Sequence, residues 1–247
     1  MNNVIVITSG KGGVGKTTTT ANIGAGLALS GKSTVLVDTD IGLRNLDVVL
    51  GLENRIVFDL VDVAEGSCRL KQALIKDKRY DGLYLLPAAQ SRNKMAVTPE
   101  QMKEIVKQLE DEFDYVIIDC PAGLGRGFET AVAAAERALV VTTPDMVCAR
   151  DAQVVGHLLF ARDLPARLII NRLRPSLVMR GAMPDVDEII DTAGLQLMGV
   201  LPEDEQVAVA NANGRPLPDA CNASSCFSNI ARRYLGEDVP LARLEKM

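Results

Sequence analysis

The chain has 247 residues, 47% of them hydrophobic and 24% charged, with a formal net charge of −5. This is the composition of a soluble globular protein long enough to bury a sizeable core; no apolar run approaches the roughly 20 residues of a membrane span, and the acidic balance argues against non-specific nucleic-acid binding. Trp is absent, so the core must be aliphatic, and five scattered cysteines (Cys68, Cys120, Cys148, Cys221, Cys226) without a CxxC pair fit a reducing compartment and a cytoplasmic location rather than a disulfide framework.

Apolar, β-branched runs recur along the chain at Val4–Thr8, Thr34–Val37, Leu83–Leu86, Tyr115–Ile118, Ala138–Thr142, Arg167–Ile170 and Leu197–Leu201. Continuous runs of this kind suit strands buried on both faces. Segments of helical spacing lie between them. Ile23, Leu27 and Leu29 follow the first strand, and Pro99–Leu109 starts with Thr98 as a candidate N-cap and Pro99 at the first helical position. Alternation of strand and helix predicts βαβ units, hence a doubly wound, mainly parallel sheet with helices on both faces. No composition break, repeat or low-complexity tract divides the chain, so a single domain over 1–247 is expected, with Gly214–Pro218 as a rigid turn before the last helix.

The first strand runs directly into Gly10-Lys-Gly-Gly-Val-Gly-Lys-Thr-Thr18, which satisfies the phosphate-loop pattern GxxxxGK[ST]. Gly12, Gly13 and Gly15 lack a Cβ, so consecutive backbone N–H groups of the loop, through Val14 and on to Thr18, can turn toward one anion. The helix expected from about Thr17 points its positive end at the phosphates. Lys16 is placed to reach the β- and γ-phosphates, and the Thr17 hydroxyl to ligate Mg²⁺. Downstream, Asp38 and Asp40 follow the second strand, where carboxylates face the ligand crevice of a parallel sheet. Asp38 could equally cap a loop. Asp114-Tyr-Val-Ile-Ile-Asp119 has Walker B form, and Asp119 would hold Mg²⁺. Asn171, at the end of another strand and followed by Arg172, has both donor and acceptor and can read an adenine edge; the guanine signature NKxD is absent, in agreement with ATP. Cys120 reads as a small buried hydrophobe, and His157, the single histidine, as structural within an apolar helix.

The second lysine of the loop, in Lys11-Gly-Gly-Val-Gly-Lys-Thr-Thr18, resembles the deviant Walker A motif of the ParA/MinD family. Asp40–Asp47, Gln72–Asp77, Leu83–Ala88 and Thr142–Pro144 followed by Arg150-Asp151 narrow the resemblance to the MinD side of that family, over nearly the whole chain. The resemblance implies an ATPase that dimerises with ATP, in which Lys11 reaches the partner's phosphates, Asp40 orients the attacking water and Asp38 supports the Mg²⁺ and threonine region. Arg44 and Asn45 would fall in switch I and Gly123 in switch II, sensing the γ-phosphate, while Asn171, Arg172 and the Leu201–Asp204 loop with Pro202 would hold the adenine. It also implies a switch that places the division site: a homodimer in the ATP state, held on the inner face of the cell membrane, that recruits a MinC-like inhibitor and answers to a MinE-like activator. Other readings are an ATP-binding scaffold with little hydrolysis, a ParA-like segregation ATPase and a flagellar-number regulator. Two departures stand out. Residues 124–127 read Leu-Gly-Arg-Gly, where the family usually carries a glutamate near Gly125. Gly236 and Pro240 close the last helix, leaving only Leu241–Met247 where the family carries a membrane-binding amphipathic helix, so the anchor is expected to be missing after about residue 240.

Overall fold

The computed structural model describes residues 3–90, 96–217 and 221–242. In chain order its first half comprises β1 (Val4–Thr8), α1 (Lys16–Leu29), β2 (Thr34–Asp38), α2 (Leu46–Val49), α3 (Leu60–Ala64), α4 (Leu70–Ala73), β3 (Ile75–Lys76), β4 (Leu83–Leu86), α5 (Pro99–Glu110) and β5 (Tyr115–Asp119). It continues through α6 (Arg126–Ala133), β6 (Arg137–Thr142), α7 (Met146–Phe160), β7 (Ala166–Leu173), α8 (Pro175–Val178), α9 (Val186–Ala193), β8 (Leu197–Pro202), α10 (Glu205–Ala212) and α11 (Asn222–Tyr234). None of these helices is long and apolar enough to cross a membrane.

The eight strands form one sheet in the order β3-β4-β2-β5-β1-β6-β7-β8. Every pairing is parallel except β3 with β4. The two-residue β3 was not expected. Seven expected runs are strands, several reaching a residue or more further: β2 extends to Asp38, β5 to Asp119 and β7 to Leu173.

Alternate residues of each strand enter two separate cores. Val4 and Val6 join one with Val35, Val37, Val116 and Ile118, covered by α3, α5, α6, α7 and α9. Ile5 and Ile7 join the other with Leu36 and Ile117, covered by α1 and α11. Phe128 and Phe227, one for each face, are the bulkiest fully buried side chains, and with about 1.5–3 kcal/mol for each large apolar side chain removed from water the two layers clamp the sheet. Helix α5 begins as its sequence predicts: Thr98 Oγ1 accepts from Gln101 N, the Gln101 side chain accepts from Thr98 N, and Pro99 occupies the first turn. In α1, Ile23 and Leu27 are fully buried, whereas Leu29 at its end is exposed.

Strand β1 lies between β5 and β6. The helix leaving β1 packs on one face of the sheet, and those leaving β5 and β6 pack on the other. A crevice opens where crossovers part in this way, at the carboxyl ends of the strands.

Candidate functional site

The loop between β1 and α1 turns sharply enough to need glycine. Gly13 and Gly15 have φ of +80° and +99°, a region that L side chains avoid. A Cβ on Gly15 would lie 2.3 Å from Asn171 Nδ2, and one on Gly10 would lie 2.6 Å from the Asp151 carbonyl oxygen. The loop is therefore pressed between β7 and α7 with no room for a side chain at either position.

The two loop lysines point to different environments. Lys16 is 8% exposed, and its Nζ donates to Ser9 Oγ at 3.1 Å. Ser9 in turn donates to the Lys11 carbonyl at 2.7 Å, closing the loop on itself. The Lys11 side chain is on the exposed surface.

Below the loop lie two buried carboxylates. Asp38 and Asp119 sit opposite each other in the β2–β5 register and are 1% and 2% exposed. Asp119 accepts from Thr17 Oγ1 at 2.7 Å and from Thr20 Oγ1 at 3.1 Å. Asp38 accepts from the backbone N–H groups of Asp40 at 2.9 Å and Leu46 at 3.2 Å, so it fixes the loop into α2. Burial raises both carboxyls above the ordinary carboxylate range, and the charge of Asp38 pushes Asp119 further in that direction. Lys16 offsets only part of this. Two carboxylates and a threonine hydroxyl at the carboxyl ends of the strands, short of positive charge, suit a hard divalent cation that keeps waters and shares phosphate oxygens. Among the described residues no cluster of three His, Cys, Asp or Glu could cage a metal; the carboxylates and the threonine hydroxyl present fit Mg²⁺ held together with a nucleotide.

The loop after β2 holds Asp40, half-buried, then Arg44 with φ of +47°. Arg44 Nε lies 2.9 Å from the buried carboxylate of Asp47, and Asn45 beside it is exposed. After β5, Gly123 takes φ of +88°, and Ala122 lies under Gly12 of the phosphate loop, 3.6 Å from where a Cβ there would stand. Gly125 caps α6 without a side chain. Cys120 is buried, which pushes its thiol up to about 12. His157 lies on the exposed side of α7.

Beside the phosphate loop is a cleft of about 520 Å³, bordered by Gly15, Thr18, Asn171, Arg172, Pro202 and Asn211. That is the size of a small-molecule pocket. Asn171 Nδ2 donates to the Val14 carbonyl at 2.8 Å and its Oδ1 accepts from Arg172 N at 3.0 Å, so it also braces the loop. Arg172 has φ of +60°. Arg174 pairs with Glu203 across the rim.

Several contributors escaped the sequence reading. Ser9, Thr20 and Asn211 are the clearest. Asn211 Nδ2 donates to Thr18 Oγ1 at 2.9 Å. Thr20 had a signal: it stands three residues after Thr17 and so on the same helix face. Asn211 had none, because its partner is far away in sequence.

A family model described as an AAA domain matches residues 2–157. The septum site-determining protein MinD of Bacillus subtilis is 55% identical over 251 residues, which span 100% of this chain and 94% of that protein. The protein of the same description from Synechocystis is 52% identical, over 97% of this chain and 92% of its own length. Among solved structures, the MinC:MinD cell division protein complex of Aquifex aeolicus matches with a TM-score of 0.91 at 44% identity, covering 98% of both chains. The septum site-determining protein MinD of Pyrococcus horikoshii, complexed with Mg-ADP, matches with a TM-score of 0.87 at 29% identity over 97% of this chain and 100% of that one.

Proposed function

The chain belongs to the MinD family of septum site-determining proteins, and from that premise we propose that it is an ATP-dependent, dimerising ATPase switch that regulates placement of the division site. The observation that carries the switch is the contrast between the two lysines of one loop: Lys16 is buried against Ser9, and Lys11 faces outward. An exposed lysine on that loop can reach a second copy, much as an arginine finger does.

Backbone N–H groups from Gly12 through Thr18 cradle the phosphates, and Lys16 meets the β- and γ-oxygens. The Thr17 hydroxyl and Asp119, backed by Asp38, would hold Mg²⁺, which would supply positive charge to offset that of the phosphates. Asp40 orients the attacking water, the Gly123 N–H meets the γ-phosphate, and Asn171, Arg172 and Pro202 border the adenine. Lys11 completes the partner's site.

The Aquifex aeolicus relative is seen in a complex with MinC, which supports a MinC-like division inhibitor as partner here. A MinE-like activator, a homodimer in the ATP state and a cytoplasmic protein that becomes peripheral on the inner membrane face complete the reading. No nucleic-acid partner is proposed. A scaffold that binds ATP and recruits a partner with little hydrolysis is a second reading, favoured by Gly125, which offers no side chain at the start of α6. Phosphate release by the purified protein, with and without lipid and partner, separates the two.

Light scattering with ADP, then with ATP under slow-hydrolysis conditions, tests the switch. The wild type is expected to be monomeric with ADP and dimeric with ATP. Lys11→Ala should stay monomeric in both while binding ADP within about twofold of wild type, since the Lys11 side chain is exposed and only its carbonyl takes part in closing the loop. An unchanged oligomeric state between nucleotides, or dimers of the variant, would remove the trans-acting lysine.

A further inference from the structure

Away from every phosphate-loop contact, three segments distant in sequence meet at one guanidinium. Arg79 follows β3 on the sheet edge. Its Nε and Nη2 bond the Asp77 carboxylate at 3.3 and 3.0 Å, and Asp77 is 2% exposed. The same guanidinium donates to the carbonyl of Leu50, just after α2, and to the carbonyl of Gly214, just after α10. Tyr80 next to it donates its hydroxyl to the Pro216 carbonyl.

The two carbonyls come from turns packed back to back. Gly51 and Gly214 both take left-handed backbone, with φ of +61° and +62°. A Cβ on Gly214 would meet the Gly51 Cα at 2.5 Å. No side chain fits between the turns, so a displacement of one is felt by the other.

Each turn belongs to an element that touches the site from a different side. Helix α10 carries Asn211, which bonds Thr18 and borders the cleft. Helix α2 begins at Leu46, whose N–H bonds Asp38, and Asp38 also takes the N–H of Asp40. A chain of direct contacts therefore runs from the cleft wall through α10, Gly214, Arg79 and Leu50 to the loop that bears Asp40 and is tied to Asp38.

We propose that Arg79 is a positioning residue that couples the α10 wall of the nucleotide cleft to the Asp38–Asp47 loop, so that filling the cleft orders the loop that bears Asp40. This rests on the reading of the cleft as the nucleotide site. Asp77 is the buried anchor that holds the guanidinium in place, and Tyr80 is a second strap beside it.

Hydrogen exchange of the full chain, with and without Mg·ADP, tests the coupling in the wild type, Arg79→Gln and Tyr80→Phe. In the wild type Mg·ADP should slow exchange in the phosphate loop, in 205–214 and in 40–52. In Arg79→Gln the slowing in 40–52 should shrink at least about fivefold, the low end of an ordinary coupling between sites, while that of the phosphate loop persists. Faster exchange everywhere, with the nucleotide-induced ratio in 40–52 unchanged, would mean that Arg79 only supports the fold and would overturn the proposal. Should Arg79→Gln fail to fold, Tyr80→Phe decides, since it removes a strap without leaving a buried charge unpaired: a smaller loss of the same ratio is expected, and an unchanged ratio overturns the coupling. Absence of protection in the wild-type phosphate loop would instead remove the nucleotide reading on which the coupling depends.

Discussion

Asp119→Asn should stabilise the protein freed of metal and nucleotide, and weaken it once Mg·ADP is supplied. Burial, with Asp38 beside it, raises the Asp119 carboxyl from 3.8 to about 7. An acid whose folded pKa lies above its unfolded value keeps its proton longer in the folded state. The folded protein then binds more protons than the unfolded chain, and stability falls as pH climbs from about 4 through 7. Asp38 shifts in the same direction and adds to the fall. One pH unit of displacement is worth ~1.4 kcal/mol, so even half of the Asp119 displacement costs ~2 kcal/mol at pH 8. For a chain of this size that is roughly 4–8 °C in Tm. Calorimetry or fluorescence melting in EDTA from pH 5 to 8 measures it. The wild type should lose Tm across this range, Asp119→Asn should lose much less, and at pH 8 the variant should melt higher. With Mg·ADP the order should reverse, because the cation needs the ionised carboxylate. A wild-type Tm that is flat or rising in EDTA, together with a variant less stable at pH 8, would refute the picture of an under-compensated carboxylate pair.

Two further substitutions probe the phosphate loop. Thr17→Ala removes the hydroxyl that bonds Asp119 at 2.7 Å; a hydrogen bond to a charged group is worth ~1.5–3 kcal/mol, so ADP affinity in Mg²⁺ should fall roughly ten- to a hundredfold while affinity in EDTA changes little, as titration calorimetry would read. Gly10→Ala places a Cβ 2.6 Å from the Asp151 carbonyl oxygen, backbone that cannot rotate away, and should displace the loop and lower ADP affinity at least about tenfold, as a displaced loop loses several weak N–H contacts together; unaltered affinity would show that α7 yields instead.

Much of this fold could be read in the sequence where the signal is local. The runs at Val4–Thr8 and Leu83–Leu86 have the bounds of their strands, and Thr98-Pro99 marks the start of α5 to the residue. The phosphate loop announces itself by glycine spacing, and Asp38 and Asp119 by their place after apolar runs. What lay hidden depends on contacts between distant residues. Strand β3 is two residues long, too short to show any period, and exists because Ile75 and Lys76 pair with Leu85 and Tyr84. Asn171 shows in sequence as an adenine reader or a turn residue, but its bond to Val14 reaches across 157 positions. His157 looked apolar by its neighbours Val154, Val155, Leu158 and Leu159, yet its own position on α7 faces solvent. The closing residues 243–247, and with them most of the tail expected to lack an anchor, lie outside the described residues, as do Pro218 of the expected turn and the chain's first two residues.

The place of β1 in the sheet also sets a timetable for synthesis. Its neighbours are β5 and β6, so Val4 waits for Val116 and Ile5 for Ile117 before either finds a first pairing partner, and Ile5 for Arg137 before it finds its second. The loop that follows β1 waits longer still, for Asn171 and then Asn211. On a ribosome adding roughly 5–20 residues each second, the phosphate loop emerges among the first segments and is braced among the last. A nascent chain of this protein should therefore be unable to hold a nucleotide until Asn211 has left the exit tunnel, and its β1 stays an unpaired apolar segment, of the kind that chaperones shield, until β5 follows it.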